Sequence, residues 1–168
     1  MKSIEIAGIG EVLWDVFPEG EQFGGAPANF ACHCRALGAQ SYVISCVGED
    51  AGGKRAVEFL QNQGVDTSAL AVSDCYETGT VVVTLDSAGQ PSYAIKEGVA
   101  WDHLPYSDNL DAIARELDAV CCGTLGQRDA TSRETIQRFL AATPSRCLRV
   151  YDVNLRQSYW TEDVIRGS

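Results

Sequence analysis

Two adjacent glycines followed by Ala-Pro-Ala-Asn form the stretch of this sequence best suited to hold a polar ligand. Gly24 and Gly25 carry no Cβ atom, so the backbone can approach a bound molecule closely there. Pro27 suits the first turn of a helix, where its missing N–H costs no hydrogen bond. The free N–H groups of such a turn favour oxygen-rich ligands, and Asn29 adds a side-chain amide. The stretch predicts the floor of a polar site, and the alternative is an ordinary loop-to-helix junction.

A predicted hairpin just upstream brings a carboxylate to this floor. Residues 12–17 have the pattern of a strand, residues 18–21 that of a turn, and the chain then returns to the glycine pair. This arrangement places Asp15 near Gly25 and Asn29. An ionised carboxylate can accept hydrogen bonds from two adjacent hydroxyl groups, each worth about 1.5–3 kcal/mol. Asp15 is therefore a candidate ligand for a polyol, and the alternative is a solvated carboxylate at a strand end.

A second polar cluster follows the last strand that the sequence predicts. Asp152, Asn154 and Arg156 alternate along the chain, so all three face one side if the backbone stays extended. An amide and a guanidinium suit phosphate oxygens, and arginine binds them through two parallel hydrogen bonds. The pattern favours a phosphate-side cluster, and an ion pair between Asp152 and Arg156 is the alternative.

Three further side chains occur where they could border the same site. Trp101 follows the second predicted hairpin, where its ring can cover the apolar face of a sugar or pack in the core. Gln127 and Arg128 follow a predicted strand over residues 118–124, at the carboxyl end where ligands of open α/β sheets bind. All three are taken as candidate site residues.

Composition restricts the class of protein. A chain of 168 residues that is 45% hydrophobic can bury one core, which indicates one globular domain. Its formal net charge of −10 argues against nucleic acid or an anionic membrane as a partner. No apolar run is long enough to span a bilayer, and the first residues lead directly into a strand without a signal-peptide pattern. The sequence therefore predicts a cytoplasmic protein.

The cysteines predict structural thiols rather than a metal site. Seven is an odd number, and without a secretory signal these residues are expected to be reduced. Cys32, His33 and Cys34 are consecutive on a predicted helix, so their side chains diverge by about 100° each and cannot face one ion.

Strands and helices alternate along most of the chain, which indicates right-handed βαβ units over a parallel sheet. Strands are predicted at 3–8, 40–47, 118–124 and 147–152, and helices at 26–37, from Asp50 to Gly64, at 108–117, from a Thr131–Glu134 capping box and from Thr161. Two hairpins, within residues 12–24 and 78–98, break the alternation and predict a small antiparallel β lid. A thin sheet cannot bury both faces by itself, so one face must meet a ligand, the core or a partner.

Taken in order, several of these stretches resemble the N-terminal half of the PfkB, or ribokinase-like, family of carbohydrate kinases, and most of all its fructokinase branch. The resemblance rests on Gly10–Asp15, on Gly24–Asn29 with Gly38 and Gly48, and on Asp152–Arg156. It covers essentially residues 1–168, and it implies the ribokinase-like α/β fold with its lid. In the family this lid covers the sugar and often pairs with the lid of a second subunit, so we expect a homodimer. It further implies that Asp15, Gly25 and Asn29 hold a sugar, while the Asp152–Arg156 stretch borders the phosphate transferred from MgATP.

The resemblance also implies parts that these 168 residues lack. Family members carry a Gly-Ala-Gly-Asp motif whose aspartate is the catalytic base, together with an adenine pocket, and that motif does not occur here. We therefore expect the chain by itself to be inactive and ATP and Mg²⁺ to bind largely outside it. The alternative function is a non-catalytic sugar-binding module, or a half-kinase subunit completed by a partner chain. Ribose, 2-keto-3-deoxygluconate and nucleosides stay open as substrates beside fructose.

Overall fold

The structure is a computed structural model that describes residues 3–85, 90–155 and 159–167. Strands in these ranges are β1 Glu5–Ile9, β2 Leu13–Phe17, β3 Gly20–Gly24, β4 Gln40–Gly48, β5 Leu70–Ser73, β6 Gly79–Leu85, β7 Pro91–Ile95, β8 Ala119–Gly123 and β9 Leu148–Asp152. Helices are α1 Ala26–Ala36, α2 Ala51–Asn62, α3 Asp108–Glu116, α4 Ala130–Ala142 and α5 Glu162–Arg166, with 3₁₀ turns at Ala100–His103 and Leu125–Gln127. Within the described ranges, no helix has both the length and the apolarity needed to cross a membrane.

The larger sheet has the strand order β5-β4-β1-β8-β9, and every neighbouring pair is parallel. Successive side chains of a strand face opposite sides, so one strand serves two cores. In β1, Ile6 packs with apolar residues of α1 and α2, whereas Ala7 and Ile9 pack with those of α3 and α4. Burial on both faces explains why β1 and β4 are almost continuously apolar.

The alternation predicted from the sequence is confirmed, including the Asp50 N-cap of α2, whose Oδ1 accepts a hydrogen bond from Gly53 N at 2.7 Å. Two local details differ. The short strand β5 was not predicted. Helix α4 begins at Ala130 with Asp129 as its N-cap, not at the predicted capping box. A carboxylate is available two residues earlier, and Ser132 instead donates to Trp101 O and accepts from Leu104 N.

The smaller sheet, called the lid sheet below, has the order β3-β2-β6-β7. Its two hairpins are antiparallel as predicted, but β2 and β6 pair in parallel, so the sheet is mixed. Tight turns fix the direction within each hairpin, whereas β2 and β6 are joined by a long path through α1, β4, α2 and β5, which leaves either direction open. One face of the lid sheet is buried over a cluster that contains Leu13, Val81, Val83, Ile95 and Trp101.

Candidate functional site

A cavity of about 610 Å³ lies between the carboxyl edge of the larger sheet and the buried face of the lid sheet. A cavity of this size is within the range of about 300–1,000 Å³ that is usual for small-molecule sites. Its lining residues are Glu11, Leu13, Asp15, Gly25, Ala26, Asn29, Val81, Ile95, Leu125, Asp152, Val153, Asn154 and Leu155. It therefore brings together Asp15, Gly25, Asn29, Asp152 and Asn154, which the sequence analysis took from three separate stretches.

Gly25 forms part of one wall, and both residues of the glycine pair occupy positions where a side chain would clash. Gly25 has φ = 109°, a conformation that strains any residue with a Cβ, and a Cβ at this position would lie 2.3 Å from the carbonyl oxygen of Glu11. A Cβ on Gly24 would lie 2.6 Å from Oδ2 of Asp15. The bare backbone at Gly24 therefore leaves room for the Asp15 carboxylate, which is half-buried on β2.

The start of α1 supplies the next part of the wall. Pro27 occupies the first turn as predicted, and Gly25 provides no side-chain cap for the free N–H groups. Asn29 N donates to Gly25 O at 2.9 Å, which places Asn29 one turn inside the helix. Its side chain is exposed and lines the cavity. An exposed amide at the helix start offers both a donor and an acceptor to a polar ligand.

The opposite wall follows β9. Asp152 ends the strand, and Asn154 lies two residues further on, with its N–H donating to Asp152 O at 3.0 Å. The hydroxyl of Thr124 donates to Asn154 O at 2.7 Å, so the loop after β8 holds this segment in place. Arg156, the predicted phosphate-side guanidinium, lies outside the described residues.

Glu11 is the lining residue to which sequence reasoning gave no role. It follows β1, its side chain is only 2% exposed, and its Oε1 accepts a hydrogen bond from Ala26 N at 3.2 Å. Burial raises the pKa of this carboxyl to about 7, against the lowering effect of backbone hydrogen bonds from Glu11 and Ala26. An isolated acidic residue between the apolar residues Ile9 and Val12, at the carboxyl end of a buried strand, was the signal that could have revealed it.

Four predicted site residues are not among those that line this cavity, namely Gly24, Trp101, Gln127 and Arg128. Trp101 is 1% exposed and packs with the lid cluster, with the guanidinium of Arg128 stacked 4.0 Å from its ring centroid. Gln127 is also 1% exposed, and its Nε2 donates to Gly123 O at 3.1 Å. Arg128 forms a buried ion pair with Asp102 at 2.7 Å. The contacts of Trp101 are those expected if it packs in the core. A direct role for Trp101, Gln127 or Arg128 in ligand binding stays a prediction.

The lining chemistry suits a neutral polyol better than a triphosphate. The described lining includes the carboxylates of Glu11, Asp15 and Asp152, and among those residues there is no lysine or arginine. Carboxylates accept hydrogen bonds from hydroxyls, whereas a triphosphate needs positive charge that the described lining residues do not supply. Among the described residues, no group of three or more His, Cys, Asp or Glu side chains is arranged to hold a metal ion.

The geometry can now be compared with known proteins. Residues 10–166 match the family model described as pfkB family carbohydrate kinase. The chain belongs to the PfkB family of carbohydrate kinases.

Individual relatives agree with this membership. The chain is 34% identical over 166 residues to the sugar kinase PH1459 of Pyrococcus horikoshii, an alignment covering 92% of this chain and 53% of that protein. It is 29% identical over 163 residues to a fructokinase of Salmonella typhimurium, covering 94% and 53%. The chain thus spans about half the length of the curated relatives it matches.

Solved structures show the same fold. A crystal structure described as an uncharacterized sugar kinase PH1459 superposes with a TM-score of 0.84 at 31% identity, covering 96% of this chain and 60% of that one. The same protein has also been crystallised in complex with ATP. The apo fructokinase of Vibrio cholerae superposes with a TM-score of 0.82 over 99% of this chain and 61% of that one, and at 24% identity it supports the fold alone. The ribokinase-like arrangement of a parallel sheet, flanking helices and a separate small sheet is confirmed.

Proposed function

We propose that this chain forms the sugar-binding part of an ATP-dependent, fructokinase-like carbohydrate kinase. One observation carries the proposal. The carboxylate of Asp15 lies against the bare backbone of Gly24, at the wall of a cavity that Asn29 and Asp152 also line. Family membership and fructokinase relatives support a sugar as the ligand.

In this proposal Asp15 accepts hydrogen bonds from two neighbouring hydroxyl groups of the sugar. The amide of Asn29 and the backbone at Gly25 meet further hydroxyls, and Val81 and Ile95 of the lid sheet cover the apolar face of the ring. Both aliphatic side chains line the cavity and are nearly buried, at 4% and 8% exposed. Holding the sugar in one orientation, away from water, is the part of phosphoryl transfer that depends on positioning.

The proposal places the phosphate at the wall formed by Asp152 and Asn154, with Arg156 binding phosphate oxygens during transfer. ATP, with Mg²⁺, supplies the γ-phosphoryl group, and the ATP complex of PH1459 supports that choice. The described lining residues supply no positive charge to the nucleotide. We therefore propose that these 168 residues alone do not transfer phosphate.

The test is calorimetric titration of the protein with fructose, followed by an assay with fructose and ATP. Asp15→Ala should weaken fructose binding by about tenfold or more, because it removes hydrogen bonds to a charged group. Asp108→Ala is the matched control, since Asp108 is an exposed carboxylate in the first turn of α3, outside the cavity. Unchanged fructose affinity in Asp15→Ala, with a normal melting temperature, would contradict the assignment.

Sugar binding without phosphate transfer is the second candidate. It is favoured by the described lining, in which Asp15 and Asn29 suit hydroxyl groups and no lysine or arginine is present to bind phosphate. The same two measurements, made on the protein isolated from its own source organism, separate the candidates: ATP turnover supports the kinase, and fructose binding without turnover supports the module.

We further propose that the lid sheet pairs with a second copy of the chain. Val82 is 47% exposed on the face of the lid sheet that points away from the cavity. Sedimentation velocity of the protein should show a dimer, and a monomer at all accessible concentrations would contradict the pairing.

A further inference from the structure

Glu11 is a buried acid at the base of the cavity, and the proposed contacts with sugar and phosphate leave it without a role. It joins the end of β1 to the start of α1, because Oε1 accepts the N–H of Ala26 at 3.2 Å and its carbonyl oxygen lies under Gly25. These are the residues that position Asn29. A change at Glu11 is therefore transmitted to the cavity wall by one hydrogen bond and one close backbone contact.

The second carboxyl oxygen of Glu11 has a different hydrogen-bonding environment. Oε2 is buried and has no hydrogen-bond partner among the described residues. A Cβ on Gly126 would lie 3.2 Å from it, so the 3₁₀ turn after β8 covers this oxygen closely. An ionised carboxylate with an unpartnered buried oxygen pays a large desolvation cost, whereas the neutral acid avoids most of it.

The groups around Glu11 do not reverse this preference. Asp152 raises the pKa of Glu11, and Arg128, which already pairs with Asp102, lowers it, both less than burial does. The thiols of Cys121 and Cys122 on β8 are neutral at physiological pH, since burial first and nearby charges second raise the pKa of each to about 12.

We propose that Glu11 is a positioning residue that holds a proton on its carboxyl when sugar is bound and fixes the Gly25–Ala26 junction through Oε1. This inference rests on the proposed function, because it concerns the same sugar site. A neutral sugar that fills the cavity removes the remaining water from this carboxyl. Sugar binding should therefore favour the protonated form and take up a proton around neutral pH.

Linkage fixes the sign of the pH effect. A group whose pKa rises further on binding makes the affinity weaker as the pH increases through that range. Fructose affinity should fall by roughly threefold to tenfold between pH 6 and pH 8.5, since each unit of additional pKa shift is worth a factor of ten. Glu11→Gln keeps an amide oxygen for Ala26 N but cannot ionise, so its affinity should be the same at both pH values.

The experiment is fructose titration of the full chain by calorimetry at both pH values, for the wild type, Glu11→Gln, Glu11→Ala and Glu58→Gln. Glu58 is an exposed glutamate of α2 outside the cavity and serves as the charge-matched control. Glu11→Ala should bind more weakly at both pH values because it lacks the acceptor for Ala26. The inference is overturned if Glu11→Gln keeps the wild-type pH dependence, or if the wild type shows none.

Two wild-type measurements decide the matter if the variants do not fold. Calorimetry at pH 7 in buffers of different ionisation enthalpy reports proton uptake on fructose binding, and a ¹³C-carboxyl NMR titration reports the ionisation of Glu11 itself. Uptake with a titration near neutral pH supports the inference, and its absence overturns it. If the wild type binds no fructose at any pH, the proposed function is overturned. If Glu11 then also titrates at its ordinary pKa, the inference that its buried carboxyl holds a proton is overturned separately.

Discussion

The larger sheet and the lid sheet are both built from apolar strands, but they bury them differently. In the larger sheet, β1 is covered by helices on both faces, and Ile6, Ala7 and Ile9 are at most 3% exposed. In the lid sheet, β6 alternates: Val81 and Val83 are 4% and 2% exposed, whereas Val82 is 47% exposed. A two-sided core fixes the position of a strand, and a one-sided sheet depends on what covers its open face.

The junction between the two regions explains how a thin sheet is held over the cavity. Asp50, the N-cap of α2, accepts hydrogen bonds from Thr78 N at 2.8 Å and from the Thr78 hydroxyl at 2.7 Å. Thr78 directly precedes β6. Trp14 of β2 donates from its indole N–H to Gly52 O at 3.0 Å. The start of α2, with its N-cap, therefore anchors both central strands of the lid sheet. Hydrogen bonds as well as packing hold the lid sheet in position.

The largest loss of stability should come from a substitution in the core of the larger sheet, which is covered on both faces. Phe139 of α4 is fully buried, and Phe139→Ala should lower the free energy of unfolding by about 3–5 kcal/mol because it leaves a cavity. Urea unfolding measures this change. Phe139→Leu, which removes less volume, should cost less, and fructose affinity of the folded fraction should be unchanged. An equal loss of unfolding free energy in the two variants would show that the core relaxes to fill the space left by the side chain.

A smaller loss of stability is expected from a substitution at Asp50, which joins α2 to the lid sheet. Asp50→Ala removes a helix cap and an anchor of the lid sheet, which should lower the free energy of unfolding by about 2–3 kcal/mol at neutral pH. Asp129→Ala is the control, since Asp129 caps α4 by accepting from Thr131 N without touching the lid sheet. Hydrogen exchange should speed up in β6 for Asp50→Ala and not for Asp129→Ala.

The pH dependence of that effect has a defined sign. Burial raises the pKa of Asp50, but hydrogen bonds from Thr78 and Gly53 outweigh it and lower the pKa below its usual value. A carboxyl with a lowered folded-state pKa stabilises the fold above the unfolded pKa of about 4, and this contribution disappears as the pH falls below it. The difference in melting temperature between wild type and Asp50→Ala should therefore shrink from pH 6 to pH 3. A constant difference would assign the effect to packing.

The smallest change in stability is expected on the open face of the lid sheet, and the same substitution on its buried face should cost more. Val82→Thr, on the open face, should change the free energy of unfolding of the monomer by less than about 0.5 kcal/mol. Val83→Thr has the same shape but places a hydroxyl in the buried cluster, which should cost about 1–3 kcal/mol. Thermal unfolding at low protein concentration measures both. A large loss in Val82→Thr would mean that the open face is already covered in the monomer.

Local signals were sufficient for most elements. Periodicity and caps correctly placed the hairpins, α1 and α2. The helix predicted from Thr161 is α5, and Thr161 caps it by accepting a hydrogen bond from Val164 N. These features depend on interactions within a few residues of each other. The sequence order of the glycine pair, Asp15 and the Asp152–Arg156 stretch likewise indicated the PfkB family, which the comparison over residues 10–166 established.

Contacts between distant parts of the chain were decided only by the tertiary structure. The parallel pairing of β2 with β6 joins hairpins separated by two helices and two strands, and no turn sets its direction. Trp101 could have faced a ligand or the core, and its burial follows from packing against Gly79 and Arg128. The only local sign of the environment of Glu11 is its place among apolar residues after a buried strand. Its raised pKa arises because elements far apart in sequence close over one carboxyl and exclude water from it.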